Sequence, residues 1–165
     1  MNKKSLTAAG LLVLCIAIPL LAGAIGSVFT MEAIPTWYAT LQKPSFAPPA
    51  WVFGPVWTTL FILMGIALFV VVKDGTGTVP VRHAVAFFAA QILANTLWSF
   101  LFFGLRSPLL GLIDILLLVV LIAGTMVMFY RVSKAAAWLL APYLCWVSFA
   151  TAVNAAVWVL NWSVP

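Results

Sequence analysis

Charge is what this 165-residue chain has least of: 7% of it is Asp, Glu, Lys or Arg, and only three residues are acidic, Glu32, Asp74 and Asp114. With no paired carboxylates, no Gly-x-Ser-x-Gly and no glycine-rich phosphate loop, hydrolysis and phosphoryl transfer have no residues to run on. One histidine, His83, and two cysteines, Cys15 and Cys145, do not make a metal or haem-ligating set. Both cysteines lie in apolar runs, where they act as small apolar side chains and not as a disulfide framework. The net charge of +5 forms no basic stripe, so a nucleic-acid partner is excluded.

What the chain has is apolar mass. It is 65% hydrophobic, with a mean hydropathy of +1.20, too little polar surface to cover a water-soluble globule. It reads as an integral membrane protein. The apolar runs are long and continuous, which selects helices over the alternating short strands of a barrel. An all-α bundle of five spans is expected, at Leu6 to Val28, Val52 to Val72, His83 to Phe103, Pro108 to Tyr130 and Ala136 to Leu160. The first run is too long for a signal-peptide core and is kept as a span. Pro19 and Pro142 fall inside spans, where each frees a carbonyl and bends the rod. Lys3, Lys4, Lys73, Arg82, Arg131 and Lys134 lie on one side, and only Lys43 and Arg106 on the other. By the distribution of basic residues the N-terminus is cytoplasmic and the C-terminus outer, a bacterial membrane being the expected location.

The connection between the first two spans, residues 29–51, is longer than an ordinary tether. Within Trp37 to Trp57 stand four prolines, Pro44, Pro48, Pro49 and Pro55, and three tryptophans, Trp37, Trp51 and Trp57. A solvated linker would be built from Gly, Ser and charge, so this one is expected to fold as a stiff cap over something apolar.

Polar residues at membrane depth are few and patterned. Gln91, Asn95 and Trp98 recur at i, i+4 and i+7 on one face of the third span. Ala86, Ala90 and Ala94, spaced by four, offer a second face on which another helix could approach closely. Two roles stay open for Gln91 and Asn95, bracing neighbouring helices and binding a ligand. Asp114, inside the fourth span, must face the bundle or be protonated. Trp138, Trp158 and Trp162 suit an interfacial belt, whereas Trp146 lies nearer mid-membrane, where belts do not reach.

Three stretches carry a resemblance: Trp37 to Trp57, Gln91 to Ser99, and Ala141 to Ala150 followed by Asn154 and Leu160-Asn161. Together they resemble the tryptophan-rich sensory protein and translocator protein family (TspO/MBR). The resemblance implies a five-helix bundle, commonly a homodimer, whose outer pocket is capped by the first connection. It implies binding of porphyrin, haem and benzodiazepine-type ligands in the bilayer, with no required cofactor. By motif position the pocket residues are Trp37, Tyr38, Leu41, Pro44, Phe46, Trp57, Asn95, Trp98, Tyr143, Trp146, Phe149 and Ala150. The family's sterol-recognition motif belongs at the end of the fifth span, where Val157 to Pro165 lacks its Tyr and basic residue.

A tetrapyrrole is a wide, flat, apolar plate with acidic edges, which suits aromatic faces and a few orienting amides. Lys43 and Arg106 stand at the rim, where they would steer propionates. Two function classes follow: a receptor that senses, regulates or transports tetrapyrroles, or an enzyme that degrades porphyrin with light and oxygen through Trp57 and Trp146.

Overall fold

A computed structural model describes residues 3–74 and 76–162. These residues form helices and turns with no strands among them: α1 (Lys3–Ala33), α2 (Trp37–Thr40), α3 (Phe53–Val72), α4 (Val79–Ser99), α5 (Pro108–Tyr130), α6 (Lys134–Leu139) and α7 (Ala141–Leu160). A 3-10 turn, Ala50–Val52, leads into α3, and a π-helical turn, Phe100–Gly104, extends α4. Five segments are long and apolar enough to cross a membrane, with α6 and α7 forming the fifth. The fold is thus the expected all-helical, five-span bundle.

Several boundaries fall elsewhere than expected. α1 runs on to Ala33, because nothing after Val28 breaks a helix until Pro35, which bars helical geometry at the residue before it. The first connection is correspondingly shorter than 29–51 and holds α2 and the 3-10 turn. The third span starts at Val79, since Pro80 occupies the first turn, where a missing N–H is harmless. The fifth begins at Lys134, where the Ser133 hydroxyl accepts from the Ala136 N–H at 3.4 Å. It then breaks at Leu140, two residues before Pro142, so this proline interrupts the helix as well as bending it.

α1 packs on α3, α4 on α5, and α5 on α7, while α3 meets α6. Gly65 in α3 backs directly onto α1: a Cβ there would overlap Ile16 and stand 2.8 Å from the Cys15 carbonyl. That carbonyl is the one Pro19 deprives of its helical N–H donor, so the closest approach of the two helices falls where α1 has a free acceptor. The outward faces remain apolar, with Val13, Leu14, Leu21 and Val28 on α1 and Leu116, Leu117 and Val120 on α5 all exposed, as a lipid-facing surface requires.

The interior divides into two clusters. The larger one centres on Met64, Leu118, Ile122, Phe129 and Val147. The smaller one, at the end carrying the first connection, gathers Ala33, Tyr38, Phe102, Phe103, Val153 and Val157. Between them lies the polar girdle that defines the site.

Candidate functional site

The girdle is built by α4 and α7. Tyr143 is fully buried, and its hydroxyl donates to Gln91 Oε1 at 2.9 Å while accepting from Asn95 Nδ2 at 3.2 Å. Two turns toward the connection end, Trp98 Nε1 donates to Asn154 Oδ1 at 3.1 Å, and Asn154 Nδ2 donates to the Pro108 carbonyl at 2.8 Å. Gly111 leaves room for that amide, since a Cβ there would sit 3.1 Å from Asn154 Oδ1. The i, i+4, i+7 face of α4 therefore does turn inward. Gln91 braces helices, while Asn95 and Trp98 brace them and also reach open space.

Two cavities adjoin this girdle. The larger, about 440 Å³, lies between α1, α3 and α4, with Phe53, Trp57 and Phe61 on one wall and Asn95, Trp98, Ser99 and Phe103 on another. The smaller, about 30 Å³, is lined by Tyr38, Pro48, Trp146, Phe149, Ala150 and Val153 among others. Phe53, Trp98 and Phe103 line both, so these rings are a shared partition. Trp98 stacks on Phe102 at 5.1 Å between centroids, and Phe53 meets Trp146 edge-on at 6.1 Å.

The residues expected at a pocket are distributed unevenly over these spaces. Trp57, Asn95 and Trp98 line the larger cavity, and Tyr38, Trp98, Trp146, Phe149 and Ala150 the smaller. Trp57 and Trp146 thus face different cavities. Tyr143 lines neither; it stands behind Trp57, edge-on at 6.2 Å. Trp37 and Leu41 pack against the smaller aromatic cluster, and Phe46 is exposed with its edge toward Phe149 at 6.4 Å. Pro44 lines neither cavity. The Tyr38 phenol is pushed above its ordinary range by burial, so it stays neutral, with the Lys43 ammonium 4.8 Å from its ring centre. Phe53, Phe102 and Phe103 went unread in the sequence; the signal was the run Phe100 to Gly104, taken there for a plain helix end.

Among the described residues, three buried side-chain polar atoms have no hydrogen-bond partner: Gln91 Nε2, Asp114 Oδ2 and Trp146 Nε1. Asp114 is buried on α5 within electrostatic reach of Tyr143. The first connection is fastened at its middle, where Gln42 N–H donates to Asn161 Oδ1 at 3.0 Å and Asn161 Nδ2 donates to the Gln42 carbonyl at 2.9 Å.

The alanine row does not hold to one face. Ala86 is exposed, Ala90 half-buried and Ala94 buried in the chain's own core. Steps of four residues overshoot a helical turn by about 40° each, so the row winds inward. The outward stripe of α4 runs instead through Ala86, Ala89, Leu93 and Leu97.

Fold and site together define a polytopic helical membrane protein with an aromatic, amide-trimmed chamber near one end. Residues 15–159 match the TspO/MBR family, and the chain belongs to it. It is 50% identical over 161 residues to the tryptophan-rich protein TspO of Chlorobaculum tepidum, covering 98% of this chain and 99% of that one. It is 42% identical to the human translocator protein over 141 residues, 85% and 83% of the two chains. To the tryptophan-rich sensory protein of Cereibacter sphaeroides it is 38% identical over 130 residues, 78% and 79% of the two.

Proposed function

We propose that the protein is a membrane receptor that binds tetrapyrroles and related flat hydrophobic ligands, acting in their sensing, regulation or transport. The carrying observation is the divided chamber. The larger cavity, at about 440 Å³, falls in the roughly 300 to 1,000 Å³ range of small-molecule sites. Its partition from the smaller cavity is made of rings that can swing. Rotating Phe53 or Trp98 would join the two spaces into a slot lined by Trp57, Trp98 and Trp146. The orphaned Trp146 N–H and the amide of Asn95 would then meet the polar edges of a plate, and the connection around Tyr38, Pro44 and Phe46 would close it as a cap. Relatives named sensory protein and translocator protein fit this reading.

The enzymatic reading needs Trp57 and Trp146 both to react with a porphyrin held in the joined slot, whereas binding needs only the slot and its polar edges, so binding is the reading supported best. In this reading the N-terminus lies in the cytoplasm and the connection outside, as the distribution of basic residues favours, with Lys43 and Arg106 at the rim toward propionates. A homodimer through the outward stripe of α4, at Ala86, Ala89, Leu93 and Leu97, completes the proposal.

The test is titration of the detergent-purified protein with protoporphyrin in the dark, following absorbance and tryptophan fluorescence. A saturable spectral shift is expected, weakened more by Asn95→Ala with Trp98→Phe than by Trp158→Phe with Trp162→Phe. Equal losses from both pairs would refute the site. In light, bound porphyrin should bleach no faster than free; faster bleaching that Trp57→Phe or Trp146→Phe abolishes would restore the enzyme.

A further inference from the structure

The larger cavity is lined on α1 and α3 by exposed residues, Ala24, Met31, Gly54 and Thr58, so it lies at the flank of the bundle, and the packing of α1 explains why. As far as Gly23, α1 lies tightly on α3, through Gly65 against Ile16 and through Gly23 itself, where a Cβ would run into the Phe61 ring. Beyond that point it leans on α4 instead. A Cβ at Gly26 would stand 3.0 Å from Ser99 Oγ, and Phe29 meets Phe100 edge-on at 5.2 Å. α1 and α3 therefore splay apart toward the connection end, and α4 becomes the floor of the gap.

The walls of the gap suit traffic from hydrocarbon. None of the lining residues is charged. Four of the hydroxyls that line it are folded back onto their own helices: Ser27 donates to the Ala24 carbonyl at 2.7 Å, Thr30 to Gly26 at 3.0 Å, Thr58 to Gly54 at 2.9 Å and Thr96 to Ile92 at 3.1 Å. The lips are small or apolar and outward-facing, with Ala24 and Met31 on α1 and Gly54 on α3 exposed. Nothing lies within 4 Å of a Cβ built on Gly54. A flat apolar molecule dissolved among acyl chains would meet no desolvation barrier on the way to Trp57.

We propose that the cleft between α1 and α3 at the connection end is a lateral portal, through which the ligand passes directly between the bilayer and the chamber. This rests on the tetrapyrrole-binding reading for the identity of the ligand, but not for the opening itself. The portal also predicts that lipid chains reach Trp57 when no ligand is bound.

Two measurements test it. In vesicles of phosphatidylcholine with brominated chains, replacing Trp57 by Phe should remove a strongly quenched component of the fluorescence, and Gly54→Phe should shield that component. If Trp57→Phe leaves the quenched fraction unchanged, the cleft is closed to lipid and the proposal falls, whether or not porphyrin binds. In stopped-flow mixing with protoporphyrin-loaded vesicles, Gly54→Phe and Ala24→Phe should slow association and dissociation together by about tenfold, the low end of the range over which on-rates vary within one interface, with the equilibrium affinity little changed. Unchanged rates in both variants, with faster exchange in Asn161→Ala, would route the ligand past the connection and overturn the portal. Absence of any binding by the wild type would sink the tetrapyrrole reading, leaving the quenching result to decide the portal alone.

Discussion

Replacing Tyr143 by Phe removes one oxygen atom from the centre of the bundle and nothing else. The ring keeps its edge contact with Trp57, so any loss reports the hydroxyl. Gln91 Oε1 then loses its donor and Asn95 Nδ2 its acceptor, both in a helix buried at that level. Side-chain hydrogen bonds between membrane helices are worth about 0.6 kcal/mol on average and up to about 1.7, so two of them predict a loss of about 1 to 3 kcal/mol. Gln91 Nε2 already has no hydrogen-bond partner, so flipping the amide recovers nothing. The assay is reversible unfolding in mixed detergent micelles, followed by helical circular dichroism. The same substitution in a Gln91→Leu, Asn95→Leu background should change stability by less than about 0.5 kcal/mol, because both partners are gone. An equal loss in the two backgrounds, or none in the wild type, would show that the girdle carries no coupling energy.

Four other outcomes are expected. Trp98→Phe keeps the stack on Phe102 but strands Asn154 Oδ1, so it should destabilise by about 0.5 to 1.5 kcal/mol, whereas Trp158→Phe at the belt should be near neutral in the same unfolding assay. Gly65→Ala should destabilise by about 1 to 3 kcal/mol by overpacking α1 against α3, while Gly54→Ala, in open space within a helix, should stabilise by about 0.5 to 1 kcal/mol; thermal melts in detergent separate the two signs. Asn161→Ala releases Gln42, so chymotrypsin should cut faster after the exposed Phe46 in the same connection while the melting temperature barely moves. Ala86→Leu on the outward stripe of α4 should shift a dimer to monomer in size analysis, and Leu at the buried Ala94 should instead impair folding.

Composition made the membrane and the helices legible, because a chain this poor in charge has one solvent in which to fold. The inward face of α4 was legible too, since Gln91, Asn95 and Trp98 keep the helical period. Ala94 misled because small residues serve close packing inside a chain as well as between chains, and spacing does not tell the two apart. Pro80 and Pro142 misled for a related reason. A proline marks a place where the ladder of hydrogen bonds is interrupted, but only the packing decides whether a helix begins, bends or stops there. The separation of Trp57 from Trp146 by Phe53 and Trp98 could not be read at all, because it depends on how rings from different helices meet in space.

The pair of hydrogen bonds between Gln42 and Asn161 joins residues 119 positions apart. A contact so distant in sequence has to wait for nearly the whole chain to be made. During synthesis four spans can be inserted and paired while the first connection still hangs free, because its fastening point is the last turn of the fifth. The site is consequently the last part of the molecule to be finished, and it is closed by the same residue that shows the fifth span to have been threaded to its end. A chain stalled or misinserted in that span would have a bundle but no pinned connection, and the loose segment around Gln42 would distinguish it from the finished protein for a protease on that side of the membrane.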